Sequence, residues 1–143
     1  MAYTKTTWVN GETPINADNL NNIETGVSGV IGTILWTNPD PTADFSSQNI
    51  ALNSSDYDVL EFVWLGIKTL SIVFSERVIK GHGTQFDYFQ TTSTNTRASR
   101  RITYVNNTSY TVGDCNISNN AANNFCIPLY VIGYKTGLFG GQS

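Results

Sequence analysis

The spacing of apolar residues changes once along the chain. In the first thirty residues, Leu20, Ile23 and Val27 follow one another at intervals of four or three residues, which places them on one narrow face of an α-helix. Further on, apolar and polar residues alternate, as in half-buried β-strands. We therefore predict an N-terminal arm and helix in residues 1–30, followed by one β domain in residues 31–143.

Turn residues divide the second segment into about eight short strands. Strands are predicted near Gly32–Thr37, Gln48–Leu52, Val59–Leu65, Leu70–Ile79, Gln85–Thr92, Ser99–Val105, Ser109–Cys115 and Phe125–Tyr134. Short strands at a spacing of roughly 10–12 residues favour a mainly β fold, a single antiparallel, jelly-roll-like β-sandwich. The Asn-rich run Asn116–Asn124 is interpreted as an exposed loop.

The helix has a clear start signal. Asn16 stands at the N-cap position and Asp18 follows in the first turn, where both residue types are favoured. Gly26 and Gly29 weaken the helix and are predicted to end it.

A helix of about three turns is marginal alone in water, so its apolar side needs a partner. The narrow spacing of Leu20, Ile23 and Val27 resembles the seam of a very short coiled coil. Three copies of the chain around one axis would bury these side chains together, which predicts a homotrimer. The alternative is a monomer whose helix folds back on its own β domain.

Composition narrows the functional classes. Charged residues make up 13% of the 143 residues, about half the usual share. Residues 1–64 carry a net charge of −7 and residues 65–143 a net charge of +4. This mild polarity is not the basic footprint of a nucleic-acid-binding protein. The sequence contains no run of about 18 apolar residues, so membrane insertion is not predicted, and no leader segment is recognised.

The residues that could perform catalysis are few. His82 is the one histidine, and it stands between two glycines. Asp56 and Asp58 are two apart, but they lie in turn-forming sequence where acidic residues usually serve solubility. No spacing typical of a zinc or calcium site is present. The chain is therefore expected not to be an enzyme and to need no metal or cofactor.

The two cysteines, Cys115 and Cys126, do not form a disulfide framework. They are interpreted as small buried apolar residues, and a cross-strand disulfide is left open.

The densest cluster of charge is TNTRASRR. On a strand, Arg97 and Arg101 would face one side and Arg100 the other. Arginine suits planar contact with phosphate or carboxylate groups, so a phosphate-bearing cell-wall polymer is one candidate ligand. The alternative is ion pairing with acidic residues of the N-terminal half, including those of a neighbouring subunit.

Aromatic residues add a second kind of candidate contact. In FDYFQ, Phe86 and Tyr88 alternate with Asp87 and Phe89, so one side is predicted to enter the core and the other to be free to stack on a sugar ring. The predicted ligand contacts are listed here together: His82, Tyr88, Arg97, Arg101 and Tyr104.

The first 28 residues or so resemble a known group of proteins. TTWVNGETPINADNLNNIETGV is similar to the N-terminal segment of many phage and prophage tail fibres, baseplate proteins and receptor-binding proteins. The residues that carry the resemblance are Trp8, Gly11, Thr13, Pro14, Ile15, Asn16, Ala17, Leu20, Asn21, Ile23, Glu24 and Gly26. More weakly, ILWTNPDPTADFSSQNIAL, YDVLEFVW and CIPLYVIGYK resemble the small β domains of phage tail tips.

The resemblance implies a homotrimeric virion component at a tail tip or fibre, assembled in the bacterial cytoplasm. Such a protein would attach to a host surface polysaccharide or cell-wall polymer and would contact other phage tail proteins. The alternative is a structural baseplate or connector protein that binds other tail proteins only.

Overall fold

A computed structural model describes residues 4–69, 72–91 and 95–137 of the chain. One helix and nine strands follow each other in these residues. They are α1 (Ala17–Val30), β1 (Thr33–Thr37), β2 (Gln48–Ala51), β3 (Val59–Ile67), β4 (Val73–Ile79), β5 (Thr84–Thr91), β6 (Asn95–Asn106), β7 (Ser109–Ile117), β8 (Asn120–Ala121) and β9 (Phe125–Tyr134). Leu70 and Thr92, where two predicted strands begin and end, lie outside the described residues.

The strands form two antiparallel sheets. One sheet has the order β1-β9-β3-β4, and the other has the order β2-β7-β6-β5 with β8 paired to β7. Every pairing is antiparallel. The mainly β class and the antiparallel arrangement predicted from the alternation are therefore confirmed.

Aromatic rings from the two sheets meet in one core. The Trp64 ring of β3 stacks on Phe86 of β5 with ring centroids 5.0 Å apart, and on Phe74 of β4 at 4.7 Å. Phe62 of β3 contacts Tyr110 of β7 at 5.6 Å. Since stacked and edge-to-face pairs add to the free energy of apolar burial, these rings hold the inner faces of the sheets together.

The Asn-rich run is more ordered than a loop. Ser118 and Asn119 both have positive φ angles, of 49° and 66°, and they join β7 to the short strand β8. Two successive positive φ angles in a two-residue connection are the signature of a type I′ hairpin turn. The run predicted as an exposed loop over Asn116–Asn124 is exposed at residues 118–121, but it forms a hairpin, and the short strand β8 was not predicted.

The helix continues past both of its glycines. It ends at Val30, and the N–H of Ile31 still bonds to the carbonyl of Val27 at 3.1 Å. The prediction that the glycines end the helix was wrong for Gly26, because a glycine lowers helix stability by only about 1 kcal/mol, whereas Gly29 lies one residue before the end at Val30.

A buried arginine joins the two sheets. Arg100 of β6 is fully buried, whereas its neighbour Arg101 is exposed. Its Nη1 donates to the carbonyl oxygens of Phe45 at 2.8 Å and Gly113 at 2.5 Å, and its Nη2 donates to that of Phe125 at 3.2 Å. The predicted opposite orientation of the two arginines is confirmed.

The Arg100 guanidinium has carbonyl partners rather than a carboxylate. It takes part in no ion pair of the described residues, and its Nε has no hydrogen-bond partner among them. It also lies over the Phe45 ring, with Cζ 5.5 Å from the centroid. Burial lowers the pKa of Arg100, but a guanidinium stays charged far above neutral pH, so the charge is held by carbonyl dipoles.

We predict that Arg100→Met lowers the free energy of unfolding by about 3–5 kcal/mol. The substitution removes a buried charge, but it also leaves three carbonyls without their donor. Urea denaturation followed by tryptophan fluorescence would measure the loss. The matched control is Arg101→Met on the same strand, which we expect to change stability by less than about 0.5 kcal/mol. Equal stability of the two variants would contradict this role for Arg100.

Candidate functional site

The cap of α1 is built as its sequence predicts. Asn16 has an extended backbone, and its side-chain oxygen accepts a hydrogen bond from the Asn19 N–H at 2.9 Å. Asn19 in turn donates from Nδ2 to the carbonyl of Pro14 at 2.8 Å. These bonds fix the point at which the chain enters the helix.

The N-terminal arm runs back along the helix. The Asn22 amide of α1 donates to the Thr4 carbonyl at 2.5 Å and to the Thr6 hydroxyl at 2.9 Å. The Thr13 hydroxyl accepts from the Val9 N–H and donates to the Thr7 carbonyl. The arm and helix are therefore tied together by polar side chains.

The apolar side of α1 is partly exposed among the described residues. Leu20, Ile23 and Val27, called here the helix face, are 49, 39 and 48% exposed. None of them belongs to the core shared by the two sheets. Because the three apolar side chains lie on one side of a short helix, the helix face is a candidate contact surface.

An open depression of about 330 Å³ lies at the C-terminal end of the helix face. It is lined by Ile23, Glu24, Val27, Ile31 and Thr33. The link from α1 to β1 passes through Gly32, where a Cβ atom would stand 2.2 Å from a methyl carbon of Ile132. A glycine at this position therefore allows the backbone of the link between α1 and β1 to approach the Ile132 side chain closely.

A polar surface with one aromatic ring lies on the outer side of the second sheet. We call it the arginine face and define it by Gln85, Asp87, Phe89, Arg97 and Arg101. Strand register places Phe89 opposite Arg97 and Gln85 opposite Arg101. All five therefore share the side of the β5–β6 pair that faces away from the core.

Hydrogen bonds organise one end of the arginine face. Arg97 pairs with Asp87 at 3.0 Å, and Gln85 donates to the same carboxylate at 3.2 Å. The Arg97 guanidinium also lies 5.7 Å from the ring centroid of Phe89. The hydrogen bond from Arg97 to Asp87, and then the charge of Asp87, raise the pKa of Arg97, so this arginine keeps its charge. Its ion-pair partner within the chain is Asp87, not an acidic residue of the N-terminal half.

Arg101 is the free cation of the arginine face. Among the described residues it makes no ion pair, although it is exposed. Phe89 is 66% exposed beside the Arg97–Asp87 pair. A planar cation, a bare ring and an amide together are suited to a sugar or an anionic polymer.

The remaining predicted contacts lie elsewhere. Tyr88 is buried, and its ring packs edge-on against Phe74 with centroids 5.9 Å apart. It therefore has no surface to offer a ligand, and naming it as a contact was wrong. Tyr104 is partly buried against Tyr110. His82 is exposed in the turn between β4 and β5, with Nδ1 3.4 Å from the Lys80 carbonyl.

Phe89 and Gln85 are the surface residues that the set of predicted contacts left out. The signal was available, because Phe86 alternates with Asp87 and Phe89 in FDYFQ. Once Phe86 is known to be fully buried, the parity of the strand directs Phe89 outward. Asp56 and Asp58 do not lie on a strand, and Asp58 accepts a hydrogen bond from the Gly137 N–H.

Within the described residues, no group of three or more His, Cys, Asp or Glu side chains is placed to hold a metal ion. In the same part of the chain no helix has the length and hydropathy of a membrane span. Comparison of the chain with protein-family models, curated proteins and solved structures found no match. The helix face and the arginine face are therefore the features of the chain that bear on its function.

The outer side of the first sheet carries a carboxylate network. The Tyr134 hydroxyl donates to Glu61 at 2.6 Å, and Arg77 lies 3.3 Å from the same oxygen and 4.9 Å from the centroid of the Tyr134 ring. Burial acts to raise the pKa of Glu61, but hydrogen bonds from Tyr134 and Ser75 and the charge of Arg77 outweigh it, so the pKa is lowered.

This network predicts a pH dependence of stability. Because the pKa of Glu61 is lower in the folded chain, its carboxylate stabilises the fold above the ordinary glutamate pKa of about 4.3, and this contribution is lost as the pH falls through the lowered pKa. The stability difference between the wild type and Glu61→Gln, up to about 1 kcal/mol at about pH 6, should shrink towards about pH 3. Urea titrations at each pH would measure it.

The control for this measurement is Glu76→Gln on the adjacent strand, since Glu76 makes no ion pair of the described residues. This variant removes the same charge without removing an ion pair, so it reports the effect of net charge alone. A difference for Glu61→Gln that stays constant over the same range would refute the stabilising role of the carboxylate.

Proposed function

We propose that the chain is a homotrimeric virion protein of a phage tail tip or fibre, assembled in the bacterial cytoplasm. It attaches the phage to its host by binding a cell-surface glycan or cell-wall polymer, and it performs no reaction. The observation that carries the proposal is the partly exposed helix face on a well-capped helix. The similarity of the first 28 residues to phage tail proteins supports the same conclusion.

The energetics of the helix support the proposed trimer. Leu20, Ile23 and Val27 lie one above another on α1, and three parallel copies bury them against each other in a short coiled coil. Burial of this surface removes the main free-energy cost of keeping α1 helical in water. The arm, tied to α1 through Asn22, then lies beside the bundle, where it contacts other tail proteins.

The β domain is proposed to be a jelly-roll-like sandwich that displays the binding surface. Pairing of β1 with β9 and of β2 with β7 brings strands from the two ends of the domain together, as in a rolled-up sheet. The arginine face is the proposed binding surface. Arg101 would contact a phosphate or carboxylate of the polymer, and Phe89 would stack on a sugar ring.

A second candidate is a structural baseplate or connector protein that binds other tail proteins. The observation in its favour is the edge position of β4 in the first sheet. Exposed apolar side chains stand at its two ends, Ile72, Val73 and Phe74 at one end and Ile79 at the other. Edge strands with exposed apolar side chains readily pair with other chains.

The first test of the proposal is the mass in solution. We expect light scattering to give three times the chain mass of 15.7 kDa for the wild type and a smaller mass for the variant Leu20→Asp, Ile23→Asp, because six buried charges destabilise the bundle. The control Asn21→Asp, Thr25→Asp adds the same charge on the side of α1 opposite the helix face and should remain a trimer. A monomeric wild type would refute the trimer.

The second test is binding of a purified phosphate-bearing wall polymer by calorimetry. Arg97→Gln and Arg101→Gln should each weaken binding by about tenfold, because each removes a charge-assisted hydrogen bond. Arg77→Gln, on the other sheet, is the matched control and should bind like the wild type. If the wild type binds neither this polymer nor whole host cells, the attachment role is wrong and the connector role stands.

A further inference from the structure

The two cysteines lie on different sheets but beside the same part of β6. Cys115 of β7 is paired in register with Arg100 of β6. Cys126, near the start of β9, has its sulfur 3.7 Å from the carbonyl oxygen of Ala98, also on β6. Both cysteines are free and fully buried. A covalent bond between them would therefore connect the two sheets through the core.

The backbone at Cys126 is unusual. Its φ angle is 48°, in the left-handed region that residues with a Cβ atom rarely occupy. Such a conformation costs of order 1–3 kcal/mol and persists only where the surrounding structure holds it. The strained residue is therefore the one whose thiol is placed against β6.

The surroundings of the two thiols differ. The hydrogen bond with Cys126 lowers the pKa of Cys115, burial acts against this effect, and the Arg100 charge lowers the pKa as well. The same hydrogen bond and burial raise the pKa of Cys126. Of the two thiols, Cys115 therefore loses its proton more readily. The Arg100 guanidinium, which lacks a carboxylate partner, accommodates the negative sulfur.

We propose that Cys115 and Cys126 form an inter-sheet disulfide when the folded protein meets a peroxide. The Cys115 thiolate attacks one oxygen of hydrogen peroxide, and the O–O bond breaks. This gives a sulfenic acid and, after protonation of the leaving hydroxide, water. The Cys126 thiol then attacks the sulfenic sulfur, and its proton leaves with the hydroxyl group as a second water. Two thiols are oxidised and one peroxide is reduced.

This proposal does not rest on the proposed attachment function. Hydrogen peroxide is small enough to reach a buried site during local opening of the fold, and the two thiols share a hydrogen bond. The disulfide closes a ring through the β7–β8 hairpin, in which the Ala122 N–H already bonds to the Cys115 carbonyl at 2.7 Å. Closing this ring should raise the thermal midpoint by roughly 5–10 °C.

The experiment treats the folded, reduced wild type with a small molar excess of hydrogen peroxide. The protein is then unfolded in guanidinium with N-ethylmaleimide, and its intact mass is measured. We expect two maleimide adducts before oxidation, none after it, and two again after treatment with dithiothreitol. Chymotrypsin cleaves after Phe125 and separates the two cysteines, so a linked peptide pair would locate the bond. The thermal midpoint should rise in the oxidised wild type only.

The single variants Cys115→Ser and Cys126→Ser are the controls, and each should retain its one maleimide adduct or become irreversibly oxidised. If either variant fails to fold, the peptide pair and the adduct count of the wild type still decide the question. Two adducts after peroxide, a sulfinic acid at Cys115, or a disulfide between two chains would each overturn the proposal.

Discussion

The buried charge of Arg100 is the constraint on which the arrangement of the two sheets depends. A guanidinium without water must have its N–H groups bonded, because an unpaired buried charge is very costly. Here the acceptors are backbone carbonyls of Phe45, Gly113 and Phe125. These carbonyls belong to the connection between β1 and β2, to β7 and to the start of β9. One side chain therefore fixes the β1–β2 connection, strand β7 of one sheet and strand β9 of the other sheet relative to each other.

The alternation of inward and outward side chains along the strands could be predicted from the sequence, and it explains most of the correct predictions. Alternation directed Phe86 inward and separated Arg97 and Arg101 from Arg100. The partners of these residues could not be predicted, because they come from segments far apart in the chain: Arg100 meets Phe45, 55 residues away. Tyr88 was misassigned for the opposite reason, since its residue type suggested a surface role that its parity forbids. The β7–β8 hairpin was missed because Ser118 is not a typical residue at a positive φ angle.

The position of the helix and its N-cap were predicted from the sequence. The narrow spacing of apolar residues also predicted which side of the helix is apolar. The described residues leave that face partly exposed, and the trimer stays a prediction. The arginine face was predicted in part, through Arg97 and Arg101. Their orientation follows from local geometry, whereas the identity of a ligand depends on groups that the chain does not contain. The two surfaces lie in separate segments, so association and binding are separable by mutation.

Pairing of β1 with β9 has a consequence for the order of events during synthesis. Thr33 is opposite Gly133, so the two partners are a hundred residues apart and the first sheet remains incomplete until β9 has left the ribosome. Contacts so distant in sequence are slow to form. The capped helix precedes the β domain in the chain and depends on contacts that are close in sequence. If the proposed trimer forms, nascent chains on neighbouring ribosomes would meet through their helices while the β domains are still unfolded, and subunit assembly would be an early step rather than the last one.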